Sequence, residues 1–115
     1  MSFDFWPPEL DAVLAAREHH RVLLENEHVR VLETRIRPGE TTALHTHQHP
    51  AATTILSWAD MVRRDEHGAV LLDTRGAAGP DALPATTWTP PLGPHTLTNV
   101  GAEDIHVIVV ELKGR

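Results

Sequence analysis

Two short segments of the chain carry histidines at spacings that suit a metal ion. His45 and His47 are one residue apart, so in a strand both side chains point to the same face, with Cα atoms roughly 6–7 Å apart. Two imidazoles placed in this way can converge on one cation at about 2.0–2.1 Å. His95 follows a rigid turn predicted at residues 90–94 and begins a strand. A distant strand of a barrel can therefore supply His95 as a third ligand. Taken alone, the pair of His45 and His47 is equally consistent with solvated or core histidines.

The composition narrows the chemistry. The chain has 115 residues, nine His and no Cys, which excludes thiolate metal sites, disulfides and cysteine nucleophiles. This length supports one domain and excludes a two-domain Rossmann dehydrogenase or a TIM barrel. The net charge of -6 argues against nucleic acid or an anionic membrane as the main partner.

The other histidines have different expectations. His49 continues the register of His45 and His47, but Pro50 follows it, so it is a candidate fourth ligand or a general base at the rim. His106 lies in an apolar strand and is expected to be a core residue with one hydrogen bond. The rest stand near turns or strand ends and are expected at the surface: His19, His20, His28 and His67.

The elements that must position these residues are short strands separated by turns. We predict strands at residues 21–25, 28–36, 53–56, 60–64, 69–73, 86–89, 96–100 and 105–112. Asn26 and Glu27 form the turn of the first hairpin. The last strand does not alternate between apolar and polar residues, so both its faces are expected to be covered. The pattern favours an all-β sandwich or barrel.

The N-terminal residues differ from the rest. Pro7 and Pro8 precede a stretch rich in Ala and Leu, which predicts a short helix within an arm at residues 1–18. Phe3, Phe5 and Trp6 are expected to anchor this arm on the body or on a partner subunit. Residues 19–115 then form the barrel domain.

The two histidine segments resemble the two motifs of the cupin superfamily. Gly39, five residues and His45-Thr46-His47 match the first motif in spacing. In the second motif Pro91-Leu92-Gly93, His95 and Asn99 match, with one residue instead of two between Gly93 and His95. The resemblance covers residues 19–112 and is closest to small single-domain bacterial cupins, mostly uncharacterised. It implies a double-stranded β-helix, a jelly-roll-like barrel, and by analogy a homodimer.

Two departures from the family pattern matter. The family's glutamate ligand falls at position 51 or 52, and both are Ala; the glycine expected near residue 58 is absent, and Trp58 stands there. The resemblance then implies a site of three histidines, as some cupin relatives use. Three neutral imidazoles leave the charge of a divalent ion uncompensated, which favours an anionic ligand. The implied cofactor is a divalent transition metal, with Fe, Zn, Ni or Mn as candidates.

Other residues are weaker candidates. Trp88 is a candidate pocket residue or a core aromatic. Glu33 and Arg35 share one face of a strand; if that face points inward they are candidates to bind a polar substrate, and otherwise the face is solvated. Asn99 is expected to fix a turn. Arg63 and Arg64 are expected to lie on an exposed sheet edge.

The sequence leaves the function open between three classes. The first is a metal-dependent enzyme acting on a small anionic or oxygen-rich metabolite, with dioxygenase, isomerase and decarboxylase chemistry undecided. The second is a non-catalytic sensor or binding protein, and the third is a structural cupin without metal. The first residues contain no basic and apolar signal-peptide regions, so a cytoplasmic location is predicted.

Overall fold

The computed structural model describes residues 6–114, in which antiparallel strands dominate. The strands are β1 (His20–Glu25), β2 (Val29–Ile36), β3 (His45–His47), β4 (Ala51–Ser57), β5 (Met61–Arg64), β6 (Val70–Asp73), β7 (Ala85–Thr89), β8 (Leu92–Asn99) and β9 (Ile105–Leu112). They form a five-stranded sheet in the order β1-β2-β9-β4-β7 and a four-stranded sheet in the order β3-β8-β5-β6. The predicted all-β architecture and the first hairpin are confirmed.

The predicted N-terminal helix is shorter than expected and divided in two. A 3-10 turn (Pro8–Leu10) precedes a single turn of α-helix, α1 (Ala12–Ala15). Asp11 separates them because its backbone is extended, with φ -53° and ψ 138°, and its carboxylate accepts a hydrogen bond from the Val13 N–H. Neither helical segment in residues 6–114 is long and apolar enough to cross a bilayer.

Trp6 contacts the body of the protein. A Cβ added at Gly93 in β8 would lie 3.2 Å from the Trp6 ring, so the ring covers this glycine. The Trp6 carbonyl accepts a hydrogen bond from Gln48 Nε2 at 3.2 Å. Phe3 and Phe5, the other aromatic residues expected to anchor the arm, lie outside the described residues.

Alternation along β2 determines what faces the interior. Its even-numbered residues are buried: Arg30, Leu32, Thr34 and Ile36. β9 lies between β2 and β4 at the centre of the sheet, and residues 106–110 are half-buried on both faces, as their lack of alternation predicted. Ile36, Ala59 and Ile105 form a compact apolar cluster, and Ile36 and Ile105 also line a cavity between the two sheets.

Two local predictions around the second motif have different outcomes. Asn99 fixes a turn as expected, because its Nδ2 donates to the carbonyls of Ile36 and Glu103. The rigid turn predicted for residues 90–94 is too long, because β8 already begins at Leu92. Pro94 is tolerated within this strand because it falls at the irregularity where the pairing with β3 shifts register.

Candidate metal centre

Four histidine rings meet at one end of the space between the sheets. His45 and His47 come from β3, and His95 of β8 is paired directly with His45. The ring centroid of His45 lies 4.9 Å from that of His47, 4.3 Å from that of His95 and 4.7 Å from that of His20. One ring nitrogen each of His20, His45 and His47 lies within 4.8 Å of the others, as a shared ion requires. The structure thus brings the rings of the three predicted histidines together and adds His20. The group of converging nitrogens contains His20, His45 and His47, whereas His95 is placed by its ring, 4.3 Å from that of His45.

The prediction that His20 lies at the surface is wrong, because it is only 6% exposed. It begins β1 and pairs with Thr34, whose side chain faces the interior. The alternation of β2 could have indicated which of its partners point inward. The register of β1 could not be read from sequence, because a bulge between Val22 and Leu24 interrupts it.

The rings are oriented by hydrogen bonds on their outer nitrogens. In three of them Nδ1 donates a hydrogen bond to a nearby carbonyl oxygen: His20 to Ala16 at 2.9 Å, His45 to Ala43 at 2.7 Å and His95 to Gly93 at 2.7 Å. An Nδ1–H that donates to a carbonyl fixes the tautomer in which Nε2 carries a free lone pair. Three imidazoles are therefore prepared to offer Nε2 to a cation.

A buried chain of ion pairs ends beside His47. Nδ1 of His47 lies 3.5 Å from Glu111 Oε2. Glu111 is fully buried, and its Oε1 accepts a hydrogen bond from Arg30 Nε at 2.6 Å. Arg30 Nη2 in turn donates to both carboxylate oxygens of Asp11, at 2.9 and 3.1 Å. Burial acts to raise the pKa of Glu111, but His47 and Arg30 together hold it below its usual value.

Glu111 also accounts for the carboxylate missing from the first motif. Ala51 is one of the two positions where the family's glutamate is expected, and its direct partner across the β4–β9 ladder is Glu111. A carboxylate is thus present beside the histidines, but it lies next to the His47 ring and is not one of the converging ligand groups. Sequence analysis missed this role, although a glutamate within the apolar strand 105–112 was a usable signal.

The environment keeps three of the rings uncharged. Burial, followed by the repulsion of neighbouring histidines, lowers the pKa of His45 to about 2. Burial is also the main reason that the pKa values of His20 and His95 fall to about 4. Neutral imidazole is the form that binds metal, so these three histidines are in their ligating state near neutral pH.

A cavity of about 270 Å³ extends from the histidines between the two sheets. His49 lines it, and its Nδ1 is buried without a hydrogen-bond partner among residues 6–114. Most of the remaining lining is aliphatic or threonine. Such a cavity is large enough for a small organic ligand next to the cluster.

Three residues considered for substrate binding lie away from the cavity. Trp88 is 57% exposed, because its neighbours Thr87 and Thr89 face inward and the strand alternates. Glu33 and Arg35 are odd-numbered residues of β2 and occupy its outer face. Their partners are surface groups: Arg21 and His106 for Glu33, and Asp104 for Arg35. His106 was expected in the core, but it lies on this outer face as a half-buried residue, where its one close hydrogen bond joins it to Glu33 at 2.9 Å.

Arg63 is the opposite case. It was expected on an exposed edge with Arg64, but β5 lies between β8 and β6 and is not an edge strand. Arg63 pairs with Leu97, and both side chains line the cavity. The sequence concealed this position because two adjacent arginines resemble a solvated charge pair.

Comparisons with known proteins agree on the fold. No protein-family model matches the chain, and no curated protein matches it in sequence. The structure is similar to a cupin domain from Bordetella pertussis Tohama I, with a TM-score of 0.61 and 19% identity over 83% of this chain and 92% of that one. It is also similar to an uncharacterised conserved protein with a double-stranded β-helix domain from Klebsiella pneumoniae (TM-score 0.54, 26% identity, 84% and 76% covered).

A third similar structure belongs to a named enzyme. The polyketide cyclase RemF from Streptomyces resistomycificus matches with a TM-score of 0.54 and 20% identity over 88% of this chain and 69% of that one. These likenesses concern the fold, and they agree with the two sheets and the spacing of both motifs. The chain is therefore a small protein with the cupin double-stranded β-helix fold.

Proposed function

We propose that the chain binds a divalent transition metal through His20, His45, His47 and His95 and uses it to bind a small anionic or oxygen-rich metabolite. The observation that carries this proposal is the orientation of the rings. His20, His45 and His95 each direct Nδ1 at a carbonyl oxygen, which leaves Nε2 for a shared cation, and Nδ1 of His47 lies 3.5 Å from a Glu111 oxygen. A core without a ligand-binding role has no need of four desolvated imidazoles within one cluster.

The residues present fit a metal of intermediate softness. Nitrogen-only donors suit Zn, Fe and Ni better than Mn, which prefers oxygen ligands. When bound, such an ion would polarise an oxygen atom of the ligand as a Lewis acid. The chain's own contribution is to hold the rings: carbonyls orient His20, His45 and His95, and Glu111 lies 3.5 Å from His47. Aliphatic and threonine side chains line the remaining space.

The proposal is tested by adding metal to the purified, chelator-treated protein. Zn²⁺, Ni²⁺, Co²⁺ or Fe²⁺ at 100 times its dissociation constant is expected to stabilise the fold by about 2.7 kcal/mol. For a domain of this size that corresponds to a rise in Tm of roughly 10 °C or more. Differential scanning calorimetry with and without each ion measures it. A Tm that none of these ions raises contradicts the proposal.

Whether the bound ligand is turned over separates two functions. A ligand-binding or sensor protein is favoured by the scarcity of free acid and base groups: among the described lining residues outside the histidine cluster, only His49 is a candidate base. Oxygen uptake and product formation with diketones, thiols and aromatic acids distinguish the two. Saturable binding without turnover supports the sensor, and turnover that His49→Gln abolishes supports the enzyme. The likeness to a polyketide cyclase is one of fold and leaves the reaction open.

We also propose that the protein acts in the cytoplasm as a homodimer. β1 is an edge strand whose residues 21–25 are all exposed, including Val22, Leu23 and Leu24. An exposed apolar edge strand favours pairing with another chain. Light scattering is expected to give twice the monomer mass of 12.7 kDa. Replacing Leu24 with Lys should return the mass to that of the monomer, and a monomeric wild-type protein contradicts the assembly.

A further inference from the structure

Arg63 is a charged side chain of the cavity without a partner. Two charged residues other than histidine line the cavity, and the other, Glu111, is already bound by Arg30. Nε of Arg63 is buried without a hydrogen-bond partner, and no residue between 6 and 114 forms an ion pair with its guanidinium. Burying an unpaired charge is costly, so the place of this half-buried arginine in the cavity favours an anion from outside the chain.

The strand register puts Arg63 close to the histidine cluster. Arg63 of β5 is paired with Leu97 of β8, and His95 is two residues from Leu97 on the same face of that strand. Diagonal neighbours of this kind have Cβ atoms about 7–8 Å apart, within reach of an arginine side chain. The charge of Arg63 contributes, after burial and His47, to lowering the pKa of His95, which agrees with this proximity. The pKa of Arg63 itself is lowered by burial.

The rest of the cavity defines what accompanies the anionic group. Its wall beyond the histidines consists largely of apolar side chains, including Ile55, Trp58, Met61, Leu72 and Val107. Trp58 is fixed there, since its indole ring packs against Gly79 so closely that a Cβ would lie 2.8 Å from Nε1. A fitting ligand therefore has one anionic end and an apolar body, within about 270 Å³.

We propose that Arg63 is the residue that recognises the ligand, by binding the carboxylate of a small apolar monocarboxylate. The planar guanidinium donates two parallel N–H groups to the two oxygens of a carboxylate, a geometry that an amide cannot match. This proposal rests on the proposed function for the cavity and narrows its ligand class. It requires only the cavity and Arg63, so it holds for the metal-free protein as well.

The test compares carboxylates with their amides in the metal-free and the Zn²⁺-loaded full chain. Isothermal titration calorimetry is performed with benzoate, phenylacetate and hexanoate and with benzamide, phenylacetamide and hexanamide. In wild-type protein at least one carboxylate is expected to bind about 10-fold or more tightly than its amide, since hydrogen bonds to a charged group are worth about 1.5–3 kcal/mol. Arg63→Gln should abolish the preference. Arg64→Gln, whose side chain does not line the cavity, should keep it.

The outcomes for Arg63 can be told apart from the outcomes for the proposed metal site. A carboxylate preference in metal-free wild type that disappears in Arg63→Gln supports the role of Arg63, even where added Zn²⁺ does not bind. Equal binding of acids and amides by wild type, absence of binding by all three acids, or a preference that survives in Arg63→Gln overturns it. None of these outcomes depends on the Zn²⁺ titration, which tests the proposed metal function alone.

A second variant guards against a folding defect. Arg63→Met removes the unpaired charge and keeps an apolar side chain of similar length. If the guanidinium serves a ligand and not the fold, ligand-free Arg63→Met should have a Tm equal to or several degrees above that of wild type. A clear fall in Tm would make Arg63 a structural residue and overturn the proposal.

Discussion

Replacing His45 with Ala is expected to weaken metal binding by at least about 100-fold, more than the 10- to 100-fold typical of residues that only support a ligand. The ring of His45 lies within 5 Å of the rings of His20, His47 and His95, so its loss opens the centre of the cluster. The readout is the metal-induced rise in Tm, measured for wild type and variant at the same Zn²⁺ concentration. Using the rise, and not Tm itself, separates metal binding from any effect of the cavity left in the metal-free protein.

Two matched variants sharpen this experiment. His20→Ala removes the ligand that the sequence analysis missed and should reduce the metal-induced rise in Tm as His45→Ala does. His49→Ala changes a histidine that lines the same cavity but whose ring is not one of the four that contact one another. It should retain the wild-type rise. A full rise in His45→Ala would show that the ion binds elsewhere.

Replacing Arg30 with Met is expected to destabilise the protein by about 3–5 kcal/mol, the usual cost of breaking a buried ion pair from one side. Arg30 connects two carboxylates: Glu111, with no exposed surface, and Asp11, largely buried. Without the guanidinium both lose their closest counter-charge, and Glu111 cannot recover solvent contact. Urea denaturation followed by circular dichroism measures the loss in the metal-free protein.

An exposed ion pair provides the control for Arg30. Arg21 also pairs with a glutamate, Glu33, but its side chain is 72% exposed. Arg21→Met should leave the urea midpoint close to that of wild type, because solvent-exposed pairs contribute little. Replacing Glu111 with Leu in the Arg30→Met background should recover part of the stability, because it removes the stranded charge. An Arg30→Met midpoint equal to that of Arg21→Met would argue against the buried chain of charges.

The fold was largely predictable because its signals are local. Strand after strand is delimited by turn residues, and the two motifs place His45, His47 and His95 by spacing alone. The N-terminal helix was overestimated because a stretch rich in Ala and Leu favours helix, whereas Asp11 adopts an extended backbone and binds Arg30. That contact joins residues 19 positions apart, and helix propensities, which depend only on local sequence, cannot predict it.

The parts of the site that were missed depend on pairing between strands. His20 reaches the cluster because of the register between β1 and β2, Glu111 because it faces Ala51, and Arg63 because β5 is an interior strand. Each residue is unremarkable within its own segment: one of two adjacent histidines, one glutamate among valines, one of two adjacent arginines. Their roles follow from which segments become neighbours, and spacing along the chain does not encode that order.

The short segment around α1 touches the metal cluster by two routes. The Ala16 carbonyl orients His20, and Asp11 begins the chain of charges that ends at His47. The free energy with which an ion would bind these two rings is therefore coupled to the free energy with which residues 11–16 pack on the barrel. By thermodynamic reciprocity, metal occupancy tightens the segment as much as the docked segment tightens the metal. What looks in sequence like a detachable arm is, at residues 11–16, a support of the histidine cluster, and it would contribute to the affinity of the proposed metal site.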